Sequence, residues 1–245
     1  MKDNFSKQAD IYAKYRPQYP HELFDFVVEH VNNRKNAWDC ATGNGQSAKM
    51  LAKQFENVFA TDISQKQLDN ASQANNIHYS LQAAEKTNFA EHSFDLITVS
   101  QALHWFATDD FYNEAKRVAK PNSIFAAWSY SLLSISPEID KLILSYYTNV
   151  IGPYWDPERK WVDEEYRTIY FPFEEIISPA FEMNYYWTIE ELEGYFNTWS
   201  ALQKFISING HNPVPEIFAQ IKPYWKGQTM RVTFPLHIRL GKIEK

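Results

Sequence analysis

The sequence predicts a doubly wound α/β fold with a mostly parallel sheet, and two observations carry that prediction. Strand-like and helix-like segments alternate five times between residues 21 and 130, the rhythm of parallel strands joined by helical crossovers. A turn containing two of the chain's seven glycines, Gly43-Asn44-Gly45, follows the first strand. Doubly wound sheets bind ligands there, beyond the carboxyl ends of their strands.

Each element has a local reason. Leu23, Phe24, Val27, Val28 and Val31 recur at helical spacing, so residues 21–33 read as an amphipathic helix. Residues 36–40 form a short strand, and "GQSAKMLAKQF" (45–55) returns as a helix with Ala48, Leu51, Ala52 and Phe55 on one stripe. "NVFATD" (57–62) is a second strand ending at Asp62, followed by the helical "SQKQLDNASQA" (64–74). "IHYSLQA" (77–83) is a third strand. "FDLITVSQ" (94–101) is a fourth, apolar almost throughout as a buried parallel strand is. A helix over 108–120 is stopped by Pro121, and "SIFAAWSY" (123–130) is the fifth strand.

Beyond Tyr130 the rhythm breaks, and nine of the twelve prolines lie there. Helical stretches at 138–151 and 188–206 alternate with proline-marked turns. "TMRVTFPLHIRLGKI" (229–243) reads as a strand closing the sheet edge, where Pro235 is tolerated there or at a bulge. Residues 1–130 are therefore read as a ligand-binding core. Residues 131–245 are a mainly helical, aromatic cap with final strands that return to the sheet. Rings such as Trp155, Trp161, Tyr166, Trp187 and Trp199 are mostly core, over an enclosed pocket for a small, partly apolar molecule.

Composition removes several classes of function. The 245 residues are 44% hydrophobic with a net charge of −6, ordinary for a globular chain and unfavourable for polyanions. No Lys/Arg run suggests a nucleic-acid groove, and the cap's aromatics are interleaved with acids instead. No apolar run approaches the roughly 20 residues that cross a bilayer. The N-terminus does not read as a secretory signal, and the single cysteine fits a reducing, cytoplasmic setting. No Cys/His spacing suggests a metal site, and nothing in the sequence marks an oligomeric state.

The ligand is less direct. Gly43 to Ala48 also fits the dinucleotide fingerprint, so spacing alone leaves an NAD(P)-dependent oxidoreductase open. Asp39, four residues before Gly43, would repel a pyrophosphate and favour an ammonium or sulfonium. Asp62 at the second strand tip can take both ribose hydroxyls. Ala84-Glu85, after the third strand, is placed to border an adenine, with Ile63 and Ala84 as apolar walls.

"WDCATGNGQSA" (38–48), "TDIS" (61–64), "AAEKTNF" (83–89) and "FDLITVSQALHWF" (94–106) with "EAKRVAKPNSIFAAWSY" (114–130) resemble class I S-adenosylmethionine-dependent methyltransferases. The likeness is to the small-molecule branch that includes trans-aconitate methyltransferase-like proteins. "FSKQADIYAKYRPQYP" (5–20) is similar to that branch's N-terminal segment, which folds over the cofactor. The resemblance implies a seven-stranded Rossmann-like sheet with S-adenosylmethionine as cofactor. It implies cofactor contacts from Tyr12, Arg16, Asp39, Ala41, Gly43, Gly45, Asp62, Ile63, Ala84, Glu85 and Gln101. His104 and Trp105 would meet the acceptor, with His104 as candidate base or substrate contact. The implied reaction is methylation of a small molecule, at a carboxylate or hydroxyl oxygen.

Blander roles stand beside these. Asp39 could cap the turn, Asp62 could cap a helix, Arg16 could be a surface cation, and His104 could simply pack on Trp105. Two positions depart from the family pattern: Ala41 stands where glycine is usual, and "KPNS" (120–123) replaces a "KPGG" turn. A protein that binds the cofactor without turnover also remains open.

Overall fold

The computed structural model describes residues 15–244. In chain order its elements are α1 (His21–Glu29), β1 (Asn36–Cys40), α2 (Gln46–Leu51), β2 (Asn57–Asp62), α3 (Gln65–Asp69), β3 (Ile77–Leu81), β4 (Phe94–Ser100), α4 (Asp109–Val118) and β5 (Ala119–Tyr130). There follow α5 (Pro137–Ser145), α6 (Arg159–Asp163), β6 (Glu174–Ile176), β7 (Phe181–Trp187), α7 (Ile189–Phe196), α8 (Ser200–Asn209), α9 (Val214–Ile221) and β8 (Met230–Ile243). Single turns of other helix types lie between some of them.

Seven strands run in the order β3-β2-β1-β4-β5-β8-β6, and an eighth, β7, pairs with the free half of β8. β1 to β5 are mutually parallel, while β8 runs antiparallel to β5, β6 and β7. The winding changes direction between β1 and β4, so the loops after these two strands diverge and leave a crevice.

Side chains on successive strand residues feed opposite faces. In β1, Ala37 joins the core beneath α1 and α2, whereas Trp38 and Cys40 join the one beneath α4. Trp38 is fully buried, and its Nε1 donates to Thr61 Oγ1 at 2.8 Å, so no polar group is left unsatisfied there. Phe24 and Tyr19 pack edge-on against Trp128 of β5 at 5.6 and 5.7 Å, fixing α1 to the sheet.

Several elements differ from the reading of the sequence. β5 begins at Ala119 rather than 123, because a register shift opposite Phe94 and Leu96 absorbs Pro121 and Asn122. Asn122 takes φ 60°, the conformation a glycine would supply in the usual turn. The stretch 188–206 is two helices: Thr188 caps α7 with Glu191, and the chain turns at Asn197 before α8. The cap also contributes three strands to the sheet. Of these β6 and β7 had no sequence expectation, and β7 is held by pairing with Met230–Leu236 of β8.

Candidate active site

A cavity lies over the crevice. The loop after β1, the tip of β2 and the loop after β4 line it from the core side. Arg16, Pro17 and Tyr19 of the segment before α1 and Trp155, Asp156 and Arg159 of the cap also line it.

The β1 loop owes its shape to what lies beneath it. Asp39 is fully buried and does not line the cavity. Thr42 Oγ1 donates to its Oδ2 at 2.5 Å and Thr98 Oγ1 to its Oδ1 at 2.8 Å. Burial pushes the carboxyl up to about 6 despite these bonds. β-sheet register sets Asp39 between Ala60 and Thr98, beneath the loop, where its bond from Thr42 holds the turn.

Above it the backbone turns left-handed at Ala41 (φ 55°), Gly43 (φ 56°) and Gly45 (φ 78°). Gly43 lines the cavity. Gly45 does not, and its lack of a side chain is demanded by the Tyr79 hydroxyl, which fills the space a Cβ would take. Ala41 carries a methyl at a conformation that favours glycine, and it faces the cavity. Asp62 is mostly buried at the cavity wall; its Oδ2 accepts from Gly43 N and its Oδ1 from Ser64 N, both at 2.9 Å. One carboxylate thus joins the β1 loop to the β2 tip.

The β4 loop is held in the same way. Gln101, at φ 53°, donates its backbone N–H to Trp128 O at 2.7 Å and accepts Tyr130 N–H on its side chain at 2.8 Å. Its side-chain amide extends the β4–β5 ladder by one rung, so Gln101 shapes the cavity wall that it also lines. His104 follows, 5% exposed, with Nδ1 at 2.9 Å from the Tyr166 hydroxyl. Desolvation, with the nearby Arg159 charge, brings its pKa down to about 3. Burial thus opposes protonation of a ring that lines the cavity as a hydrogen-bonding wall. Trp105 lines the cavity beside it, ring centroids 4.8 Å apart.

Arg16 is anchored: Nη1 donates to Tyr130 Oη at 2.6 Å, Nη2 to Thr198 O at 3.1 Å, and the guanidinium lies 5.5 Å from the Tyr195 ring centre. Ile63 lines the cavity beside Asp62. Ala84 is buried in the core beneath α4, in a turn closed by an Ala83–Lys86 bridge, and neither it nor Glu85 is among the residues lining the cavity. Tyr12 lies outside the described residues. Among the described residues no acidic, His or Cys cluster could hold a metal, and no helix is long and apolar enough to cross a membrane.

The sequence reading missed the cap wall. Arg159 lies in "PERKW", with no local mark that separates it from a surface cation. Its Nε donates to Tyr147 Oη at 2.8 Å and lies 3.3 Å from Asp163 Oδ1, and its guanidinium stacks 4.7 Å from the Trp155 ring. Asp156 on the same wall is paired with Lys204 Nζ at 2.6 Å.

Known proteins share this architecture. A family model described as a methyltransferase domain matches residues 38–127, from β1 into β5. A Dictyostelium discoideum protein named as a methyltransferase is 34% identical over 251 residues, covering 99% of this chain and 95% of its own. A solved structure named as a type II methyltransferase from Anaeromyxobacter dehalogenans is 36% identical and superposes with a TM-score of 0.86. The match covers 94% of this chain and 99% of that one. A Saccharomyces cerevisiae protein named as an S-adenosylmethionine-dependent methyltransferase is 24% identical over 136 residues, 52% of this chain and 45% of its own length.

Proposed function

The chain belongs to the class I S-adenosylmethionine-dependent methyltransferases, and from that premise we propose that it methylates an oxygen, carboxylate or hydroxyl, of a small molecule. One observation carries the reading. Core residues Gly43 and Asp62 and cap residues Trp155 and Arg159 line the same cavity, so a donor on the core side meets an acceptor small enough to fit beneath the cap.

The residues at the core side fit S-adenosylmethionine. Asp62 presents a carboxylate suited to ribose hydroxyls, with apolar Ile63 beside it. Gly43 leaves the loop face open: a Cβ there would meet nothing closer than Gln67 Oε1 at 3.9 Å. Arg16 carries a cation suited to the cofactor's amino-acid carboxylate, and Ala41 and Gln101 wall the space between. Gly45 and Asp39 support this set from behind by shaping the loop, and Ala84 and Glu85 would meet the cofactor only at its edge. Bound there, the cofactor would supply an electrophilic methyl group, whose bond to sulfur would break onto sulfur as the acceptor oxygen bonds to the methyl carbon.

The chain's own part is positioning and exclusion of water. A carboxylate acceptor has no proton to lose, which suits a site whose histidine is held neutral. Hydroxyl acceptors would need a base that His104 supplies poorly. Calorimetry with S-adenosylhomocysteine tests the donor half, and labelled methyl transfer to acids, phenols, alcohols and amines tests the acceptor half. The reading is lost if the homocysteine product does not bind, or if only amines accept the label.

A further inference from the structure

We propose that Arg159 is a specificity-determining residue that grips an anionic oxygen group of the acceptor through both of its Nη nitrogens, with Tyr147 and Asp163 as the positioning residues that aim it. The inference rests on the proposed small-molecule reading and adds to it the residue that selects the acceptor.

Geometry makes the case. Arg159 is held at one edge only: Nε donates to Tyr147 Oη at 2.8 Å and lies 3.3 Å from Asp163 Oδ1. Neither Nη nitrogen makes a hydrogen bond among the described residues, yet the residue lines the cavity. A guanidinium bound at Nε still offers the Nη fork, whose planar spacing matches the two oxygens of a carboxylate. The aromatic faces of Trp155, at 4.7 Å, and Tyr147, at 5.6 Å, hold the plane and limit the entropy lost when a ligand binds.

Charge points the same way. Asp163, 47% exposed, meets the guanidinium at its Nε edge, 3.3 Å away, and leaves both Nη nitrogens open to a ligand. Asp156, the acid on the cavity wall nearby in sequence, is already paired with Lys204. The other cavity arginine, Arg16, directs Nη1 to Tyr130 and Nη2 to Thr198. Arg159 also helps keep His104 unprotonated, an independent sign that its field reaches the cavity interior.

The test uses the full chain saturated with S-adenosylhomocysteine and titrated with benzoate, phenylacetate and succinate, each against its own amide, by tryptophan fluorescence. The expected result is that at least one acid binds tenfold or more tightly than its amide. In Arg159→Gln that preference should vanish, and Arg159→Lys should recover part of it. Tyr147→Phe should shrink the acid-to-amide ratio several-fold while leaving amide binding unchanged, which a loss of general stability would not do. Acids and amides binding alike in the unaltered chain overturn the proposal without reliance on any variant. A ratio unchanged in Arg159→Gln overturns it as well. Failure of S-adenosylhomocysteine to bind overturns the donor reading instead and is recognised separately, in the absence of acid.

Discussion

The Tyr166 hydroxyl lies 2.9 Å from His104 Nδ1, and both side chains are buried. The contact ties the loop after β4 to the cap, and desolvation opposes protonation of the imidazole there. Replacing Tyr166 by Phe should destabilise the fold by about 1 kcal/mol in urea unfolding. The pH profile of kcat in the unaltered enzyme should show no inflection near the free imidazole value of about 6.5. An inflection there that disappears in His104→Gln would restore the base.

Two buried groups titrate with opposite signs on acidification. His104 is depressed to about 3, so between there and its ordinary 6.5 the unfolded chain binds more protons and stability falls as pH falls. Asp39 is raised to about 6 from 3.8, so across that window the folded chain binds more protons and stability grows as pH falls. Asp39→Asn removes the second effect alone. Urea unfolding should then show the variant losing more stability than the parent between pH 6 and 4, by an amount on the order of 1–3 kcal/mol. Parallel pH curves for the two proteins would contradict the raised carboxyl.

The two loop glycines should respond unequally to alanine. Gly43→Ala meets open space at φ 56° and should cost about 1 kcal/mol of backbone strain. Gly45→Ala meets the Tyr79 ring and hydroxyl at φ 78° and should cost about 2–4 kcal/mol. Tyr79→Phe, which deletes the hydroxyl, should recover part of the Gly45→Ala loss in a double-mutant cycle. Additive losses would mean that the packing against Tyr79 is not the constraint.

Asp62→Asn keeps the size of the side chain but replaces one acceptor oxygen with a donor, facing the N–H of Gly43 or Ser64. Binding of S-adenosylhomocysteine should weaken by about tenfold to a hundredfold, the scale of a hydrogen bond to a charged group. Calorimetry reads this directly, and an unchanged affinity would remove Asp62 from the cofactor site.

Ala41→Gly should stabilise the chain by up to about 1 kcal/mol, since glycine reaches φ 55° without the Cβ penalty. Thermal unfolding checks it. A loss of stability would mean that the Ala41 methyl contributes packing at the cavity wall that outweighs its strain.

Much of the core was legible. β1 and β2 fall on the residues that apolar patterning indicates, and β4 is buried from Phe94 to Val99, as its continuous apolar run implies. Asp62, Ile63, Gly43 and Gln101 sit at strand tips, so locating the strands located them. β7 was not anticipated: burial alternates along "FEMNYYW", but Tyr186 puts an aromatic at an outward, 73% exposed position and blurs that alternation in the sequence. Its status as a strand depends on β8, more than 40 residues onward in the chain. Gly45 reads in sequence as a ligand glycine, and its partner Tyr79 lies on a different strand.

By itself the sequence determined the order of strands and helices and the turn after β1, because hydrophobic period and left-handed turn residues act over a few neighbours. Only the tertiary structure decided which charges face the cavity. It put Asp39 under the loop, buried His104 against Tyr166, and brought Arg159 from the cap to the wall of the cavity. Solvation, and with it the working charge of a side chain, depends on groups that reach it from distant parts of the chain.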